Sequence, residues 1–309
     1  MLPHDDPRPQ LPAADTTAVT FRYRVGGLGV VSDIELPEFE PETGMSPAID
    51  VSIVDGVARG VARREGGNAR SADGQRVHVV VDGVVAMLVA HGRTVTVWPA
   101  AGASPGDVSL QVANTAMAIV WMQRGVLVLH GAVVDINRHG VVFVGHSGQG
   151  KSTLAAACAR VGHTVCSDDL AAIGTCPDGA FVRTTARVVR AAQGVEPPAP
   201  AARTWQADGK TAWRLAHAPA TETTPLALIA VIGEGDRIAC ERVARPATVP
   251  LLMAHLFCGP ALASGPLATH FAMLAAIVAT VPVCRLVRPV DLERLPEVVA
   301  TIERRLLSR

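Results

Sequence analysis

Residues 125–173 read GVLVLHGAVVDINRHGVVFVGHSGQGKSTLAAACARVGHTVCSDDLAAI, and the fold is decided there. Two apolar runs, 126–134 and 141–144, have the length and β-branched content of buried strands. A helix-forming run follows at 151–161 and stops at Gly162. Between strand and helix lies Gly145-His146-Ser147-Gly148-Gln149-Gly150-Lys151-Ser152, which fits the GxxxxGK[ST] phosphate loop at every defined position. Glycines let backbone N–H groups close around phosphate oxygens, and the helix that starts there aims its positive dipole end at the same place. In that pattern Lys151 faces the β- and γ-phosphates, Ser152 holds Mg²⁺, and Thr153 completes the nucleotide contact.

Composition supports a functional lysine. Only two of the 28 basic residues are lysines, Lys151 and Lys210, so a lysine at the loop's demanded position stands out against an arginine background. Lys210 itself reads equally as a group reaching nucleotide or substrate and as a solvated surface lysine. The 28 basic residues balance 28 acidic ones. That balance argues against a nucleic-acid binder and a binder of anionic membranes, both of which need a cationic surface. Aromatics are only 4% of the chain, which argues against a base-stacking platform. The opening residues lack the basic start and apolar run of a signal peptide, and no apolar stretch reaches the ~20 residues of a membrane span. The six cysteines have no zinc-ligand spacing and read as small core residues in a reducing, cytoplasmic setting.

Around the central stretch the pattern predicts a disordered tail at 1–18, a β-rich accessory domain at 19–104 and an α/β domain at 105–309. In the accessory region, strands are expected at 20–25 and 49–54, with a three-stranded meander ending near residue 99. Downstream, helices are expected at 107–124, 248–257, 266–281 and 292–307, and strands at 164–166, 226–232 and 283–287. Residues 191–209 read as a Pro/Ala-rich loop.

The flanks of the loop narrow the reading. The order LHGAVV, GHSGQGKST, ARVGHTVCSDDLAAI resembles HPr kinase/phosphorylase and its relatives over about residues 125–173. The resemblance implies a mixed sheet with flanking helices like that of phosphoenolpyruvate carboxykinase. It also implies ATP and Mg²⁺ as cofactors and a serine on a peptide or small protein as acceptor. Its implied catalytic residues are Asp168 as base, His130 beside it and Lys151; its implied metal ligands are Ser152 and Asp169. A homo-oligomer is left open. The glycine- and asparagine-containing segment that accompanies phosphorolysis in that family has no counterpart here. The chain is therefore more similar to the divergent branch that includes lasso-peptide precursor kinases. From the residues alone, the acid pair also reads as a turn cap, and His130 as a packed core histidine; His163 reads as structural, and His146 either as a phosphate contact with the rest of the loop, Gly145 to Thr153, or as a solvent-facing residue. A small-molecule kinase of the adenylylsulfate-kinase type and a catalytically inactive nucleotide sensor are the competing functional classes.

Overall fold

The computed structural model describes residues 20–42, 48–191, 197–216, 221–257 and 267–308. The expected tail at 1–18 and Cys258 lie outside them. The first eight strands are β1 (Phe21–Val25), β2 (Leu28–Ser32), β3 (Glu40–Pro41), β4 (Val51–Asp55), β5 (Ala69–Arg70), β6 (Arg76–Val81), β7 (Val85–Ala90) and β8 (Thr94–Pro99). They form one sheet in the order β3-β1-β2-β4-β8-β7-β6-β5. The meander β6-β7-β8 is antiparallel, as the Asp82-Gly83 and His91-Gly92 turns predict.

A helical segment then runs from α1 (Pro105–Gln111) through a π turn at Val112–Ala116 into α2 (Met117–Gln123). Ser104 caps its start by accepting from Asp107 N–H at 3.1 Å, with Pro105 in the first turn. Its apolar face, with Val112, Met117 and Trp121, is buried in the same cluster as Tyr23, Val51 and Val97 of the first sheet. The helix expected at 107–124 is thus one segment with a local widening.

The second sheet is mixed. Its strands are β9 (Leu127–Ile136), β10 (His139–Val144), β11 (Thr164–Ser167), β12 (Leu170–Cys176), β13 (Gly179–Arg183), and, later in the chain, Thr223–Glu234, Ala239–Arg242 and Val283–Arg288. Between β13 and these, β14 (Val188–Ala191), β15 (Ala201–Ala207) and β16 (Lys210–Leu215) make a separate three-stranded sheet. The last three strands of the chain are therefore β17, β18 and β19. β10, β17 and β19 run parallel side by side, while β9 and β18 flank them antiparallel. β9 is long enough to serve two partnerships: residues 127–130 pair with β12 and residues 131–136 with β10. One face packs against α3 (Lys151–Arg160) and the C-terminal helix Leu295–Leu307, the other against α4 (Arg245–Met253) and α5 (Leu267–Thr280). The C-terminal helix is α6. The outcome is a mixed α/β chain with large sheets and few helices.

Two expectations are corrected. The loop expected at 191–209 contains β15, which pairs with β16 as a hairpin. Asp208-Gly209 at its tip is a turn pair, and Asp208 has φ +51°, so the hairpin signal outweighs the Ala/Pro composition around it. Of the cysteines, Cys158, Cys166 and Cys284 are buried and Cys240 is half-buried. Cys176 is exposed because it sits at the mouth of the β12–β13 hairpin, opposite Gly179. Among the described residues no helix is long and apolar enough to cross a membrane.

Phe143 is fully buried on β10, immediately before the phosphate loop. Phe143→Ala should cost about 3–5 kcal/mol of stability, read from the denaturant midpoint at unchanged slope.

Candidate functional site

β10 delivers the chain to Gly145 and α3 takes it up at Lys151. The turn between them closes on itself: Gln149 Oε1 accepts from His146 N–H at 2.7 Å, and Gln149 N–H donates to His146 O at 3.2 Å. Gly148 and Gly150 have φ of +86° and +83°, which a side chain would strain. A Cβ on Gly150 would also lie 2.1 Å from Arg288 Nη2. Arg288 ends β19, is buried, and donates to Gln149 O at 3.1 Å, so the parallel sheet braces the loop from beneath. Lys151 is only 6% exposed, and its ammonium donates to Gly145 O at 3.0 Å and His146 O at 3.2 Å. Burial lowers its pKa, while Asp169 and Asp168 pull it back up.

The acid pair arrives in the same direction as the loop, because β10 and β11 both run antiparallel to β9. β11 runs antiparallel to β9, so Asp168 and Asp169 emerge beside the middle of β9. Gly131 N–H donates to Asp169 O at 3.1 Å, and Leu170 stands opposite His130. The two carboxylates have different surroundings. Asp168 is 4% exposed, its Oδ1 is buried with no hydrogen-bond partner, and its Oδ2 accepts a long bond from Arg190 N–H at 3.4 Å. Burial, and then the charge of Asp169, push its pKa up to about 7; Arg190 and the Ser152 hydroxyl oppose the shift. Asp169 faces the cleft, ion-paired with Arg190 and accepting from Asn114 Nδ2 at 3.1 Å.

Two histidines beside the loop have lowered pKa values. His130 is half-buried, its ring set edge-on to Phe257 at 5.7 Å. Burial and then Lys151 lower its pKa. His255 lies 5.4 Å from the His146 ring, and burial followed by His146 pushes its pKa to about 4. Its carbonyl accepts from His130 N–H at 2.8 Å. His163 is apart from this group and does not line the cleft: its Nε2 meets Glu303 Oε1 of α6 at 2.7 Å, a structural contact.

The loop and Asp169 share one cleft of about 650 Å³, while Asp168 is enclosed behind it. Ser147, Gly148, Gly150, Lys151, Ser152 and Thr153 line it, whereas Gly145, His146 and Gln149 shape the loop from behind. Lys210 also lines the cleft, at the start of β16 opposite Ala207, and Asp208 in the turn between them lies 3.9 Å from Arg190. Lys210 is solvent-exposed as well as lining the cleft, which fits both readings of it. Asn114, Arg190, His255 and Arg288 are site residues that the sequence reading did not single out. Arg190 and Arg288 stand in strands, Asn114 in the π turn and His255 in the turn after α4, and no local motif marks any of them.

Among the described residues no group of three or more His, Cys, Asp or Glu side chains is arranged around a metal. Mg²⁺ needs no such cage, because phosphates and water supply most of its ligands and the protein adds one or two. The orphaned Asp168 oxygen near the Ser152 hydroxyl is chemically suited to that part.

The buried Asp168 carboxyl sets a pH dependence of stability. Its pKa rises on folding to about 7, so the folded chain binds more protons between roughly pH 4 and 7. The contribution of this group therefore falls as pH rises through that window. Asp168→Asn should flatten this dependence and gain stability relative to the parent near neutral pH; parallel stability–pH curves for the two proteins would contradict the assignment.

No protein-family model and no curated protein matches the chain. Among solved structures it matches the HPr(Ser) kinase/phosphatase from Coxiella burnetii, at 11% identity and a TM-score of 0.33, over 59% of this chain and 97% of that one.

Proposed function

We propose that the chain is an ATP-dependent kinase that transfers the γ-phosphoryl group to a serine hydroxyl of a peptide or small protein. The observation that carries this reading is the placement of a complete phosphate loop and the Asp169 carboxylate in a single cleft. A loop alone would suit any nucleotide binder. A carboxylate opposite it adds a base for an incoming alcohol. The serine acceptor and its peptide context rest on the resemblance of residues 125–173.

In this mechanism Lys151 and the N–H groups at the start of α3 hold the triphosphate and offset charge on its terminal oxygens. Asp169 accepts the proton as the serine oxygen bonds to the γ-phosphorus. The bond to the bridging oxygen breaks and ADP leaves. Proton acceptance by a positioned carboxylate contributes about 10²–10⁴-fold. Arg190 and Asn114 hold Asp169 at the cleft wall. Neutral His130 and His255 pack beside Lys151 without competing for phosphate charge. Ser152 and Asp168 are the residues that would hold Mg²⁺, which would supply positive charge to offset that of the triphosphate. The two aspartates thus take the reverse of the roles implied by the family resemblance, because Asp168 is enclosed while Asp169 faces the cleft.

Incubation with γ-labelled ATP, Mg²⁺ and serine-bearing peptides should label peptide serine. Label appearing on adenylylsulfate or a sugar and never on peptide would favour the small-molecule class, and binding of ATP without any transfer the sensor class. Lys151→Ala should weaken ATP binding and abolish transfer. Asp169→Asn should lower kcat by ~10² or more while ATP affinity holds. Asp168→Asn should instead raise the Mg²⁺ concentration needed for half-maximal rate; the opposite pattern would return the base role to Asp168.

A further inference from the structure

The parallel strands have a second end, and a separate cavity of about 430 Å³ opens there. It shares no lining residue with the cleft of the phosphate loop. Three arginines line it: Arg242 at the end of β18, Arg245 at the start of α4 and Arg305 near the end of α6. No Asp or Glu lines it. Among the described residues none of these three guanidinium groups has an ion-pair or hydrogen-bond partner. Arginines without a carboxylate partner occur elsewhere in the chain; what distinguishes these three, of which Arg242 and Arg245 are solvent-exposed, is that they line one concavity together.

We infer that this cavity is a binding site for a small phosphorylated molecule, separate from the nucleotide site. Three like charges around one concavity repel one another until an anion enters. Guanidinium forks match phosphate oxygens in pairs and are weakly hydrated, so they give up water at little cost. The hydroxyls on the wall are committed elsewhere: Thr248 donates to Arg245 O at 2.6 Å, Thr280 to Ile277 O at 3.2 Å and Ser308 to Arg305 O at 3.1 Å. The carboxyl end of α6 partly balances Arg305, which leaves Arg242 and Arg245 as the groups with most to gain. The volume exceeds what a single phosphate fills and accommodates a phosphate carried on a small organic body. Val283, at the cavity wall, begins the strand whose last residue, Arg288, braces the phosphate loop. At ~3.3 Å per residue the two ends of β19 lie roughly 17 Å apart, too far for one ligand to touch both.

The test uses the full chain carrying Lys151→Ala, which weakens the phosphate loop, with inorganic pyrophosphate as the probe in calorimetry and thermal unfolding. Pyrophosphate should still bind and raise Tm, whereas chloride at equal ionic strength should not. Adding Arg242→Gln and Arg245→Gln should weaken that binding at least tenfold. Absence of pyrophosphate binding to the Lys151→Ala chain, undiminished binding after both arginine changes, or a preference for citrate over pyrophosphate would each overturn the inference. Retention of the parent far-ultraviolet circular dichroism by the arginine variant, and of ATP binding when Lys151 is restored, separates a lost site from a lost fold. Should that variant not fold, Arg242→Gln and Arg245→Gln are made singly; each should weaken pyrophosphate binding severalfold, and undiminished binding in both would overturn the inference.

Discussion

A lysine ammonium, an arginine guanidinium and two carboxylates are enclosed within one small region, and each changes what it costs to bury the others. Lys151 is held by two loop carbonyl oxygens and faces the field of both aspartates. Asp169 is matched by Arg190. Asp168 has the least compensation, and its carboxyl answers burial by holding its proton up to about pH 7. Removing Arg190 or Asp169 leaves its partner uncompensated in a medium that screens poorly, whereas Asp168 is the carboxylate whose charge the cluster does not need for its stability. The cleft is therefore an electrostatic unit. The neutral state of the surrounding histidines follows from the same constraint, since a further positive charge beside Lys151 would be repelled.

β9 is what assembles that unit. It pairs with β10, which ends in the phosphate loop, with β11, which ends in the acid pair, and with β12, which leaves that pair. Its own His130 and Gly131 stand at the changeover between partners. Three short segments that each carry part of the chemistry are thus ordered by the hydrogen bonds of one strand. The loop receives a second support from β19 through Arg288, so the cleft rests on the parallel core and on the antiparallel flank together.

Much of this was legible beforehand because it is local. The strand–glycine turn–helix order at 141–161 depends on neighbours in the chain, on positive φ at Gly148 and Gly150, and on a helix that begins at Lys151; the structure has all three. The closeness of the acid pair to the loop was also readable, since one helix and one short strand can only double back. The hairpin at 201–215 was missed because Ala and Pro around it hid the Asp208-Gly209 turn. The π turn at Val112–Ala116 was missed because apolar spacing is nearly the same in both helix types.

What the sequence by itself determined was the strand–glycine turn–helix unit at 141–161, the strands beside it and the nearness of two carboxylates, since short-range backbone preferences and apolar periodicity specify each of them. The tertiary structure alone decided which carboxylate is sealed in and which faces the cleft, because burial is a property of everything packed around a group. It also decided that Arg190, Asn114, His255 and Arg288 belong to the site. Those residues come from elements up to 174 positions apart (Asn114 to Arg288), and sheet pairing brings together what no local pattern in the chain connects.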